Sequence, residues 1–274
     1  MEEKKTDDRY LLQKAIDRDS YQVFQANDMA KSFGKLKTFE HRMLDYCTSF
    51  ITLDSKKTDI FTFTTAEVMK YFGLPDKGDS YNLIQETLNT LKNKTNLYLP
   101  IYKKDTETDE YILDKYNRKI KIGNVYTSTL SSIYYYDEGL IGIDFSPNIF
   151  PFLFELKRDF YTLSMRELSM VKGKYAMILV KLWQAQARNN PVVELTGTLD
   201  EWQTWFLGKE KRLATNIFKR DVLSKASEEL ERLFDLRIEL DIKKRGRRIT
   251  GYTMTITDIR MQIKMENSHE ETNN

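Results

Sequence analysis

The densest chemical signal in the chain is a run of cations with no acid inside it: Lys243, Lys244, Arg245, Gly246, Arg247 and Arg248. Basic side chains around a glycine at a hairpin tip can straddle a phosphate backbone, each neutralised phosphate adding about 0.9 to the salt slope of duplex binding. Taken alone, the same turn suits an ordinary solvated hairpin. Immediately upstream, the spacing of Phe218, Val222, Ala226, Leu230 and Leu233 predicts a long helix from about Arg212 to Leu233 with those residues inward. At about 100° per residue, Arg220, Ser224 and Ser227 fall opposite that stripe, with Lys219 on its flank and Thr215 and Asn216 near its start. Arg220 is then placed to pair bidentately with guanine and Lys219 to meet a phosphate. A second polar stripe, Asn82, Gln85 and Asn89, carries the side-chain types that bond both N6 and N7 of adenine, although a plain exposed helix face reads the same way.

Bond-making chemistry lacks its parts. The segment GLPDKGDS, Gly73 to Ser80, has the glycine spacing of a phosphate-binding loop but Asp79 where that loop needs lysine. His41 and His269 are far apart, with no second histidine at ligand spacing. Tyr134, Tyr135 and Tyr136 include candidate strand-cleaving nucleophiles, yet the histidine pair that would hold the metal of a nicking enzyme is missing, and packing in strands accounts for them. No catalytic residue, cofactor or metal site is expected.

The elements that must position these residues follow from periodicity. A core helix runs from Thr38 through Phe39, Met43, Leu44, Cys47, Phe50 and Ile51. A strand at Ile60 to Phe63 precedes a helix capped by Thr64 or Thr65 and stopped by Gly73 and Pro75. Ser80 is expected to cap the next helix, whose inward face is Tyr81, Ile84, Leu88 and Leu91. Strands at 97–102, 119–122, 125–136 and 140–145 surround an acidic loop from Asp105 to Glu110, a poor neighbour for phosphates. A second unit repeats the order: a helix with Tyr175, Ile178, Leu179 and Leu182 inward, a strand at 192–195, a helix at 199–206 with Trp202 and Trp205, the long helix, and two strands flanking Gly246. This is an α+β chain of two tandem winged-helix domains. The expected layout is a flexible segment 1–20, a first domain 21–146, a connecting segment 147–169, a second domain 170–264 and a disordered tail 265–274.

Composition bounds the rest. At 274 residues, 41% hydrophobic and 31% charged, the chain fits two soluble domains. The lone Cys47, the charged start and the lack of a membrane-length apolar run lead us to expect a cytoplasmic protein away from membranes. A net charge of only +2 means that any grip on a polyanion is local.

In this order, the segments ANDMAKSFGKLKTFEHRML, FTTAEVMKYFGLPDKGDSYNLIQETLNTLKNK, GKYAMILVKLW, FKRDVLSKASEEL and ELDIKKRGRRITGYTMTI resemble the iteron-binding plasmid replication initiators, the Rep proteins. The resemblance implies binding to directly repeated double-stranded DNA at a plasmid origin, local melting, and recruitment of the host helicase and initiator ATPase. It also implies a homodimer joined through the N-terminal domain that represses its own promoter. It assigns DNA contact to the Ser80–Lys94 helix, to Lys219 and Arg220, and to the basic turn, while the acidic loop departs from a basic wing. A winged-helix repressor without initiation activity, and more remotely a strand-nicking replication enzyme, are the alternatives.

Overall fold

The computed structural model describes residues 22–52, 54–93, 96–108, 110–116, 118–153, 160–187 and 190–272. The segment 1–20, expected to be flexible, lies outside them. The first unit runs β1 (Gln22–Ala26), α1 (Thr38–Thr48), β2 (Phe61–Thr64), α2 (Thr65–Phe72), α3 (Gly78–Asn93), β3 (Asn96–Tyr102), β4 (Lys121–Ser128), β5 (Leu130–Tyr135) and β6 (Leu140–Phe145). Then come α4 (Phe150–Leu153), β7 (Phe160–Ser164) and α5 (Met165–Met170). The second unit is α6 (Lys174–Ala187), β8 (Val192–Thr198), α7 (Leu199–Leu207), α8 (Thr215–Leu233), β9 (Leu236–Arg245), β10 (Arg248–Asp258) and α9 (Ile259–Thr272).

The two units share one topology. In the second, the sheet order is β8-β10-β9, all antiparallel; in the first it is β2-β6-β5, also antiparallel. Matching the strands places β3 and β4 outside the repeat, as a long hairpin inserted between α3 and the wing strands. The acidic loop is therefore part of an insertion, and the wing turn of the first unit is Asp137–Gly139, where Glu138 has φ 59° and Gly139 φ 74°. The expected 125–136 strand is broken at Thr129 for the same reason: its two halves serve different sheets.

Capping follows the residues. Thr64 caps α2 through a reciprocal box with Glu67, and Gly73, at φ 63°, ends it. Ser80, expected to cap α3, lies inside it instead: the helix begins at Gly78, and the Ser80 hydroxyl donates to the Pro75 carbonyl at 2.6 Å. Tyr81, expected inward, is 37% exposed, and Thr87 joins Ile84, Leu88 and Leu91 in the core. The 147–169 segment is no simple connector. Its β7 returns to pair antiparallel with β1, so residues of the chain's beginning and middle close one sheet, and α5 packs on α1. Residues 265–272, expected to form part of a disordered tail, are helical, since α9 runs on to Thr272.

Helix α6 lies between the units. Ala176 through Trp183 are all buried, where the sequence pattern marked a single inward face; a helix apolar nearly all round is one covered on every side. Within it Lys181 is fully buried, its Nζ 2.6 Å from Asp45 Oδ1 on α1 and 4.3 Å from the Phe33 ring centroid. His41, one turn before Asp45, stands edge-on to Phe33. Burial, then Lys181 and Lys174, hold its pKa well below the ordinary 6.5, so it is neutral in the fold. Around this centre the units interlock. Gly34 packs so tightly on α7 that a Cβ there would lie 2.5 Å from Gly208 N and 2.8 Å from the Trp205 carbonyl. Lys174 donates to the Gly34 carbonyl at 2.6 Å, and Lys35 pairs with Glu210 at 2.6 Å.

Removing one partner of a buried ion pair leaves a desolvated charge, so Lys181→Met is expected to cost about 3–5 kcal/mol in urea unfolding; a cost below about 1 kcal/mol would show that the pair is solvated. For His41 the sign is set by its depressed folded pKa. Below pH ~6.5 the unfolded chain binds the proton and the fold does not, so stability is complete above that pH and is lost as pH falls, at up to about 1.4 kcal/mol per pH unit. Thermal unfolding of wild type and His41→Phe between pH 7 and 5 is expected to diverge with that slope; parallel profiles would refute the assignment.

Candidate nucleic-acid interface

In the second unit, a knot of side chains fixes the turn between α7 and α8. Thr198 caps α7 through a box with Glu201. Gln203 clamps the Leu213 backbone at both ends, donating to its carbonyl at 3.0 Å and accepting from its N–H at 2.7 Å. Arg212 spends its guanidinium on Asp200, Thr204 and the carbonyls of Gly208, Lys209 and Lys211, at 2.8–3.1 Å. Arg212 is thus a structural cation, with no donor left over for a ligand. Helix α8 starts three residues on, and its first turn is anchored by Phe218 against Phe206 and Tyr252, ring centroids 6.2 and 6.3 Å apart. The Trp202 indole in turn donates to the Tyr252 carbonyl at 3.0 Å.

Helix α8 is α-helical at Thr215–Phe218 and Lys225–Leu233 but π-helical between, at Lys219–Ser224. The sequence holds the reason. Phe218, Val222, Ala226 and Leu230 recur strictly every four residues, which in a pure α-helix overshoots by about 40° per step. A wider turn absorbs the drift, and all four are buried. The constant 100° phase therefore misplaced neighbours: Leu223 is buried as well, Leu233 is half-buried, and Ser224 and Ser227 are half-buried flank residues instead of lying opposite the core.

An open groove lies between the start of α8 and the β9–β10 wing, lined by Thr215, Asn216 and Lys219 on one side and Arg247, Arg248 and Ile249 on the other. It is continuous through Arg248 with a second depression where Arg245 meets Arg212 and Thr250. Gly246, at φ 61°, makes the wing's tight turn. Lys243, Lys244, Arg245, Arg247 and Arg248 are exposed, and none makes an ion pair with a described residue. These cations are free to meet an external anion. Arg220 differs from the expectation for it. It is exposed but lies outside the groove lining, with its guanidinium 2.6 Å from Asp221, whose pKa the Arg220 and Lys225 contacts hold down at about 2. Lying outside the groove, Arg220 is worse placed to read bases there than Asn216 or Lys219.

In the first unit Asn82, Gln85 and Asn89 do share an exposed face of α3. The wing beside it is acidic at Asp137 and Glu138, so the two units present unlike wings. Sequence reasoning missed this, although YDEG between two apolar runs carried the signal.

A family model described as "Initiator Replication protein, WH1" matches residues 22–184, and one described as "Initiator Rep protein, WH2" matches 198–256. The chain belongs to the initiator Rep protein family. Its two winged-helix domains are those of a replication initiator that binds DNA. Among solved structures it is similar to selenomethionine derivatives of domains 2 and 3 of RctB, at 11% identity and TM-score 0.44, over 80% of this chain and 82% of that one. A further RctB structure of domains 2-3 gives 14% identity and TM-score 0.41, over 84% and 85%. No curated protein matches the chain.

For this initiator, Arg247→Ala with Arg248→Ala is expected to weaken binding to all duplexes and flatten the salt slope by about 0.9 for each phosphate no longer neutralised. Asn216→Ala should instead change base preference, by about 1–3 kcal/mol at one position, while Arg220→Ala leaves preference nearly unchanged. Competition binding across a randomised site measures both; a base-preference change confined to Arg220→Ala would reverse the assignment.

Proposed function

We propose that this initiator starts replication of a plasmid by binding directly repeated duplex sites, iterons, at the origin. The observation that carries the reading is the groove in which the first turn of α8 and the unpaired cations of the wing face the same space. Phosphates would be held by Lys219 and the wing, and base edges read by Thr215 and Asn216, since a recognition helix meets bases with its N-terminal residues. The exposed Asn82, Gln85 and Asn89 face of α3 would engage the duplex about one helical turn away, roughly 10 base pairs. Held at two places, the DNA can be bent and melted locally, and the host helicase and initiator ATPase recruited to it. A homodimer joined through the N-terminal domain would repress the protein's own promoter. All of this is binding work in the cytoplasm, with no bond made or broken by the protein and no cofactor or metal needed. No helix among the described residues is long and apolar enough to cross a membrane.

The test is footprinting of the purified chain on the DNA flanking its coding region, together with maintenance of a plasmid whose origin depends on it. Protection of tandem repeats spaced by about two helical turns, and loss of maintenance on Arg247→Ala with Arg248→Ala, are expected. A protected promoter beside an origin that replicates without the protein would identify a repressor instead. Metal-dependent nicking abolished by replacing one tyrosine would identify an enzyme.

A further inference from the structure

The turn that joins α7 to α8 is held by the first domain along most of its length. Gly208 packs on the segment around Gly34: a Cβ on Gly34 would lie 2.5 Å from Gly208 N, and one on Gly208 would lie 2.7 Å from Lys35 Cγ. The next residue, Lys209, reaches the inserted β3–β4 hairpin, its Nζ 3.1 Å from the Tyr98 ring centroid and 5.4 Å from that of Tyr126. Glu210 follows, paired with Lys35. Within α7, the Trp205 ring has the Nζ of Lys31 5.2 Å from its centroid. Tyr98 and Tyr126 are register partners across β3 and β4 with ring centroids 4.7 Å apart, so the two rings form one seat for the ammonium. Ser32 donates to the Tyr98 carbonyl at 2.9 Å, which ties that seat to the segment bearing Gly34 and Lys35.

We propose that Lys209 is a positioning residue for duplex reading, through which the inserted hairpin holds the first turn of α8 at one pose in the groove. The path from the seat to the reading turn is short. The Lys209 carbonyl accepts from Arg212 Nη1 at 3.1 Å, and the same guanidinium holds the Gly208 carbonyl and Asp200. Leu213, clamped at both ends of its backbone by Gln203, leaves little slack between Arg212 and Thr215. A shift of the Lys209 side chain is therefore passed to Thr215 and Asn216. The negative faces of two rings favour a cation over an apolar residue at this place. Lys209 is also absent from the residues that line the groove and its neighbouring depression, which sets it apart from the wing cations. Holding a reading helix in its bound pose lowers the ordering cost of specific binding, and the apparent affinity scales with the population of that pose. Binding to arbitrary sequence draws on phosphate charge and needs no fixed pose. The inference rests on the groove between α8 and the wing being the surface that reads duplex.

The test is competition binding of the full chain to its preferred duplex and to a scrambled one, with hydrogen exchange of the free protein alongside. Lys209→Ala is expected to weaken the preferred duplex about 2- to 30-fold, the worth of a ring–cation contact, and to leave the scrambled duplex and its salt slope unchanged. Lys209→Arg, which keeps a cation on the rings, should restore the preference. Tyr98→Leu, a change in the other domain, should cost about as much, and the double variant no more than either single one. Tyr126→Leu, at a ring 56% exposed, should act in the same direction. In the free protein, Tyr98→Leu should speed amide exchange over residues 208–214. An unchanged preference in Lys209→Ala overturns the proposal, as does a flatter salt slope on both duplexes, which would make Lys209 a phosphate contact. Additive losses from Lys209→Ala and Tyr98→Leu overturn it too, because the two would then act apart. A wild type that prefers no duplex would sink the groove assignment, and the exchange rates would still decide whether the hairpin holds the turn: unchanged rates in Tyr98→Leu would show that it does not.

Discussion

A charge buried between the two winged helices organises this protein. Lys181 sits in the middle of α6, a helix buried nearly all round, and meets Asp45 of α1 with both side chains buried. Taking both ions out of water costs several kcal/mol each, and their close contact, the Gln25 hydrogen bond to Asp45 and the Phe33 face against the ammonium offset it. Asp45 shows the strain of this balance: burial raises its carboxyl pKa, and Lys181 pulls it back. Such a pair tolerates little sliding, since any loosening leaves a naked charge. It therefore fixes α1 against α6, and through the Gly34–Gly208 contact it sets where α7 and α8 stand relative to the first domain.

From that frame the division of cations follows. Arg212 is spent on the turn that launches α8, and Arg220, paired with Asp221, lies outside the groove. The wing cations Lys243, Lys244, Arg245, Arg247 and Arg248 make no ion pair with a described residue, and Asp200, the acid that lines the depression with Arg245 and Arg248, is paired with Arg212. A chain with almost no net charge can thus hold a polyanion in one place: its acids are arranged to neutralise the cations that build structure and to leave alone those that face the groove.

The repeated topology also separates what the domains share from what distinguishes them. Both use helix, strand, helix, helix and two wing strands with the same sheet order. Only the first carries the tyrosine–lysine hairpin and an acidic wing turn; only the second carries a basic wing.

Much of this was legible in residue order. Periodicity located the core helices, glycine and threonine marked their ends, alternation from Leu236 to Ile242 marked β9, and the KKRGRR run marked the wing, because these signals are local and each residue's neighbours in sequence are its neighbours in space. What sequence could not settle depends on contacts between distant segments. The pairing of β1 with β7, the covering of α6 on all sides, the assignment of the acidic loop to an insertion and the capture of Arg220 and Arg212 each require knowing which side chain arrives from elsewhere. Residue order alone was enough for the two winged helices and for the place of the positive charge. Which cations are free emerged only on folding, since freedom is a property of the surroundings of a charge and not of the residue that bears it.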